Sequence, residues 1–181
     1  SWKNGRQAFW YNSRFYRASL VMSGASLAMR DFHIFDNRFE ESYFNSQCST
    51  HAMVTDAPPV VESFLWRERY GRDFLMRIEV MDTGGWRESE FSSISLPEGA
   101  DKALIVAGQG KDGSITWDFS ESEFKIMFST KFDWRIHLPS DGKTVIDAKA
   151  DKITMSHRGL DYGVGLSGIR KAICCGNDVF L

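Results

Sequence analysis

Proline and cysteine are scarce in this chain, at 4 and 3 of its 181 residues. So few prolines, beside 14 Phe and 6 Trp, exclude a disordered chain, because there is ample apolar bulk to bury. The net charge is only −2, which removes any global case for nucleic acid or an anionic membrane as partner. No apolar run approaches the ~18 residues that a membrane helix needs. The nearest, Ala18 to Met29, is broken by Ser and Gly. There is no internal repeat, low-complexity segment or linker. No signal peptide is present and the chain opens at Ser1, which suits a mature exported form or a trimmed one.

What is present is ordinary in bulk and uneven in layout. Hydrophobic residues make up 43% and charged residues 25%, with aromatics high at 14%. Up to Arg38 there are six Lys or Arg against two acids, so the remaining 16 bases and 22 acids make the rest of the chain acidic. That first part, residues 1–45, mixes Trp2, Phe9, Trp10, Tyr11, Phe15 and Tyr16 with Arg6, Arg14 and Arg17. Apolar positions 9, 10, 16, 20 and 21 suit a helical face, so an N-terminal helix or irregular arm is expected to lay its aromatics on the main body. Ala28 to Phe35 is expected to be a strand. Stacking of this arm on bases is the weaker reading, since no nucleic-acid motif accompanies it.

Beyond Pro58-Pro59 the pattern has period two. A short strand is expected at His51 to Thr55, then one at Phe64 to Tyr70 that pairs with the alternating Phe74, Met76, Ile78 and Val80. Trp86 to Leu96 and Lys102 to Ala107 follow. The clearest strands are Ile115 to Phe119, Phe124 to Phe128 and Phe132 to Leu138, each with one bulky apolar face and one polar face. Thr144 to Ala148 and Lys152 to Ser156 complete the series. The expectation is a mainly β chain, 1–181 as a single domain: an antiparallel β-sandwich or curled sheet of about eight or nine strands, closed by a C-terminal helix.

That helix is expected from residues 163–176. Gly163-Val-Gly165-Leu-Ser-Gly168 fits G-x-G-x-x-G, but a dinucleotide site needs a following strand and an acid about 20 residues on. Neither is expected from the 13 residues that follow Gly168. Ser167 is then an N-cap and Gly176 a C′ glycine. The nucleophile-elbow pattern also fails, because Ile169 stands where a glycine is needed.

Four constellations could carry chemistry. Cys48, Cys174 and Cys175 allow a disulfide from Cys48 to one of the pair, three free thiols, or, with His51, a zinc ligand set. An odd count leaves one thiol over in any pairing. Asp133, Arg135 and His137 share a strand face, with Asp118 and Lys125 as cross-strand candidates, and could bind an anion or move protons. The plainer account is a solvated face with charge pairs. The aromatic–basic arm is the third and the glycine loop the fourth. His33, in Asp31-Phe-His-Ile-Phe-Asp36, has no assignable partner, nor do His51 and His157.

The order of features resembles small periplasmic proteins of the invasion-associated-locus-B kind. The matching residues are Cys48, the strands from Phe64 to Ser156, and Val164, Leu166, Gly168, Ala172 and Cys174. Cys175 and the first 45 residues have no counterpart in that pattern. The resemblance implies an exported, non-catalytic β-rich protein of the bacterial envelope, with no active-site residues to carry over. The functional expectation is a non-enzymatic domain, periplasmic or secreted, that binds another protein or a small ligand and needs no metal or cofactor. An enzyme or anion-binding protein using Asp133, Arg135 and His137, and an envelope immunity or inhibitor protein, are the alternatives.

Overall fold

The computed structural model describes residues 6–40, 57–97 and 103–181. Cys48, His51 and the strand expected at His51 to Thr55 lie outside them. The described residues form sixteen strands in four antiparallel sheets, with one short α-helix and no closed barrel.

The first sheet contains β1 (Arg6–Asn12), β2 (Tyr16–Ser23), β3 (Ser26–Ile34) and β4 (Pro59–Glu62), in that order. The expected N-terminal helix is therefore a meander. The physical reason is a period-two series that the helical reading overlooked: Tyr16, Ala18, Leu20 and Met22 are all buried on one face of β2. Gly24, at φ 61°, supplies the left-handed turn into β3.

Helix α1 (Ser63–Tyr70) occupies the segment expected to be a strand. Its ends explain the difference. Glu62 Oε1 accepts from the amides of Phe64 and Leu65 at 3.0 and 3.1 Å. Gly71, in the left-handed region, returns its N–H to the Arg67 carbonyl.

The five-stranded sheet has the order β15 (Ile173–Cys175), β16 (Asp178–Phe180), β11 (Trp134–Pro139), β5 (Arg77–Asp82) and β6 (Gly85–Glu88). Phe74, Met76, Ile78 and Val80 point inward as expected. The hairpin partner of β5 is β6, however, not residues 64–70. The third sheet has the order β10 (Phe124–Ser129), β9 (Gly113–Phe119), β8 (Leu104–Gly110) and β7 (Ser93–Ser95). The expected strand from Trp86 to Leu96 is thus split between two sheets. The split occurs where Phe91 turns into the core, 1% exposed. Asp112, in the β8–β9 turn, secures the crossing: both Nη groups of Arg87 and the Glu90 amide donate to its buried carboxylate. Gly110 is obligatory beside it, since a Cβ there would stand 1.9 Å from the Glu90 carbonyl oxygen.

The fourth sheet is β12 (Val145–Lys149), β13 (Lys152–His157) and β14 (Leu160–Gly165). The C-terminal helix is not formed. Its expected first turn is the end of β14, where Gly163 pairs with Thr154 and Gly165 with Lys152. Its expected last turn is the β15–β16 hairpin, with Cys175 opposite Asp178 across Gly176-Asn177. Gly168 and Gly176 both have φ in the left-handed region, which places turns where a helix would need its body and its cap.

Cys174 and Cys175 are consequently exposed free thiols on an edge strand, and neither forms the expected disulfide. Neighbours on a strand point to opposite faces, so the pair does not converge on one ligand point either. Both thiols are expected to be alkylated by iodoacetamide in the native protein, with no mass change on prior reduction. Protection of either one would contradict this placement.

All four sheets feed one apolar cluster. Leu20 and Phe32, Ile78 and Leu138, Ile115 and Trp117, and Ile153 and Met155 all belong to it. An aromatic seam joins the first and third sheets. Phe124 stands 5.1 Å edge-on to Phe32 and 6.3 Å from Tyr16. The Tyr16 hydroxyl reaches the β9–β10 turn, 2.7 Å from the Ser120 carbonyl oxygen. Burial, foremost, pushes the Tyr16 phenol well above its ordinary value.

Candidate functional site

Alternation along β5 and β11 sends Ile78, Val80, Ile136 and Leu138 inward and leaves Glu79, Arg135 and His137 on the outer face. Arg135 lies directly opposite Glu79 in the register. Its Nε and Nη2 donate to Glu79 Oε2 at 2.7 and 2.6 Å. The guanidinium is held between two rings, 4.2 Å from the Trp86 centroid and 4.0 Å from that of Phe180. The His137 ring stacks on the other part of this ladder, 4.8 Å from Phe180. Its Nδ1 is 3.0 Å from Glu79 Oε1 and its Nε2 3.4 Å from Asp178 Oδ2.

Two of the four candidate ligand residues are thus brought together, with Glu79 and Asp178 between and beside them. Asp133 joins only through its backbone, whose carbonyl accepts from the Met81 amide. Asp118 does not join: it lies on β9, in another sheet, opposite Lys125 and Ile105. Trp86 and Phe180 were not singled out by sequence reasoning, because only the register places them beside Arg135.

Three arginines on and beside this face are already matched. Arg135 pairs with Glu79, Arg72 with Asp178, and Arg77 with Asp73 and Glu88. An incoming anion would have to displace a carboxylate from each. Two open clefts occur elsewhere, one lined by Gly110 to Gly113 and Ser129 to Lys131, the other by Tyr11 to Arg14, Ala103 and Glu121. Neither takes in Asp118, Asp133, Arg135 or His137. What remains open on the face is apolar: Trp86, Met81 and Ile173 are 38%, 36% and 44% exposed.

A second constellation is buried. On β2 and β3, Arg17 lies opposite His33 and Ser19 opposite Asp31, and Glu62 of β4 lies opposite Asp31. His33 Nδ1 is 2.9 Å from Asp31 Oδ1, and its Nε2 is 3.1 Å from Glu62 Oε2. Arg17 Nε is 3.0 Å from Asp31 Oδ2. The His33 side chain is 1% exposed. Burial alone would lower its pKa, but hydrogen bonds to Asp31 and Glu62 together raise it above the ordinary 6.5. Burial likewise works to raise Asp31, and the bonds and charges of His33 and Arg17 outweigh it and hold the carboxyl below 3.8.

Asp31, His33 and Glu62 each offer a ligand atom within 4.8 Å of the others, donor types that a divalent ion accepts. The arrangement fits protons better. Arg17 already supplies a cation on Asp31, and the two imidazole nitrogens face different carboxylates instead of one common point. The i, i+2 spacing of Asp31 and His33 was a visible signal of a shared strand face. Glu62, from a strand paired across the sheet, had none.

No protein-family model, no curated protein and no solved structure matches the chain. The likeness to the invasion-associated-locus-B kind therefore rests on the residues quoted for it alone.

Proposed function

We propose that the chain is a non-enzymatic domain that binds a protein partner through the outer face of the five-stranded sheet. The observation that carries this reading is Arg135 clamped between Trp86 and Phe180 with its charge already met by Glu79. Aromatic and arginine side chains dominate the energetic centres of protein interfaces, above all where their conformations are set beforehand. Here the strands, the ring stacking and the ion pair hold the guanidinium in place. Because Arg72, Arg77 and Arg135 are matched, the partner it suits is a weakly charged surface with aromatic or aliphatic side chains to lay against Trp86 and Ile173. An anionic small ligand fits less well, since Arg72, Arg77 and Arg135 are each already paired with a carboxylate. Placement in the periplasm or outside the cell belongs to the same proposal, and the free thiols of Cys174 and Cys175 withdraw the support that a disulfide would have lent it.

Trp86→Ala and Ile173→Ser alter exposed side chains and are expected to leave the fold intact. Met127→Ser, on β10 and 53% exposed, is the control on a different sheet. Immobilised wild type and control should retain the same polypeptide from an extract of the source cells. Trp86→Ala should bind it roughly 30-fold more weakly, the loss of a hot spot worth ~2 kcal/mol. Equal retention by all four proteins would defeat the reading.

A further inference from the structure

A neutral imidazole has one N–H, and an ionised carboxylate has none. His33 nevertheless meets a carboxylate at each ring nitrogen, Asp31 at 2.9 Å and Glu62 at 3.1 Å. Both contacts are hydrogen bonds at once when the ring carries both protons. Burial and the Arg17 guanidinium, whose Nη2 is 3.3 Å from His33 Nδ1, oppose that state, and the two carboxylates outweigh them. Arg17 lies on Asp31, with Nη2 3.2 Å from Oδ1 and Nε 3.0 Å from Oδ2. Glu62 receives two amide N–H groups at the start of α1, which a charged carboxylate accepts best. Two cations and two anions then make a neutral buried cluster.

We propose that this cluster is a proton-operated latch: the His33 imidazolium holds the β4–α1 segment on β3, and loss of one ring proton as the pH rises releases that segment. The geometry says which contact gives way. With one N–H left, Asp31 still has Arg17, whereas Glu62 has no other cation in contact among the described residues. The charged groups that face His33 are Arg17 from β2, Asp31 from its own strand, and Glu62 from the β4–α1 junction. Arg67 and Arg69 of α1 are exposed to solvent, and Trp10 and Asn12, which continue these rows onto β1, carry no charge.

Glu62 is both the last residue of β4 and the cap of α1, so its departure loosens both. The segment's other anchors among the described residues are few: the Tyr162 hydroxyl donates to the Pro59 carbonyl, the Ile34 amide donates to the Pro58 carbonyl, and Trp66 meets Phe74 edge-on at 5.4 Å. β4 pairs with β3 at only three positions, with an irregularity between Phe32 and His33, and Pro59 has no N–H to give. Release would uncover Val60, Val61 and Trp66, at 4%, 0% and 6% exposure now, and the edge of β3. The device would therefore expose an apolar surface and a free strand edge in alkaline conditions only.

The test is ring-nitrogen NMR together with amide hydrogen exchange on the whole chain. At pH 6 both His33 ring nitrogens should carry protons, and the amides of β4 and α1 should be protected. At pH 9, after correction for base-catalysed intrinsic exchange, their protection should fall about tenfold or more while the β9 amides hold theirs. Glu62→Gln retains an acceptor for the α1 amides but removes the charge, and should flatten this dependence. If that variant does not fold, the wild-type titration decides alone. A singly protonated His33 ring at pH 6, or protection of β4 and α1 that does not change with pH, would overturn the latch. So would a rise in Tm on adding Zn2+ to the wild type that Glu62→Gln abolishes, which would make the cluster a metal site instead.

Discussion

Trp117→Ala is expected to lower stability by about 3–5 kcal/mol, the cost of removing a fully buried aromatic and leaving its cavity. Trp117 is 0% exposed at the middle of β9, opposite Val106 on one side and Ile126 on the other. Its ring stacks 6.4 Å from Phe119 and 6.2 Å from Phe124, and Phe124 in turn meets Phe32 and Tyr16 of the first sheet. The side chain therefore supports the contact between two sheets as well as its own strand. Neighbouring rings of this size cannot collapse into the space without losing those contacts, so the cost should fall at the upper end. Its indole Nε1 is buried and meets no acceptor among the described residues, which already counts against it. Trp117→Phe keeps a ring and removes the orphaned donor, and should cost no more than about 1–2 kcal/mol. Urea denaturation with unchanged m-value measures both. A loss near zero for Trp117→Ala would mean that the seam is not what joins these sheets.

His33→Leu should be nearly as damaging, and by an electrostatic route. Leucine fills much of the volume, but Asp31 and Glu62 would be left buried with one guanidinium between them. Breaking a buried ion network from one side costs about 3–5 kcal/mol, and that is the loss expected at pH 6. The cost should shrink as pH rises. His33 is raised above its ordinary 6.5 in the folded protein, so its contribution is complete below 6.5 and fades as the pH climbs through the higher folded value. Asp31 is shifted down, so its contribution is complete above 3.8 and is lost as the pH falls through the lower folded value. Wild-type Tm should thus form a plateau that descends on both sides, whereas His33→Leu should lack the alkaline descent. Parallel melting curves from pH 5 to pH 9, with a constant gap between the two proteins, would show that His33 carries no proton of consequence.

The β-rich character was legible because alternation is a local property. Ile115, Trp117 and Phe119, or Phe74, Met76, Ile78 and Val80, announce an inward face without any knowledge of what packs on it. The same rule misled at Phe64 to Tyr70, where the helix comes from Glu62 and Gly71 at its ends and not from the apolar pattern between them. At residues 163–176 the glycines suit the loop and cap of a helix, while Gly176-Asn177 followed by Asp178-Val-Phe is a hairpin signal, and the hairpin is what forms. With that helix went the expected disulfide from Cys48 to Cys174 or Cys175, both of which are exposed free thiols.

Local chemistry thus determined which residues alternate, where most turns fall, and that Arg135 with His137 and Asp31 with His33 would share faces. Tertiary structure alone decided what meets them. Glu79 reaches Arg135 from 56 residues away, Phe180 and Trp86 close on it from β16 and β6, and Glu62 comes to His33 from a strand paired across the sheet. Register and sheet order set those meetings. They follow from how four sheets share one core, a sum over many weak contacts that no short stretch of the chain contains.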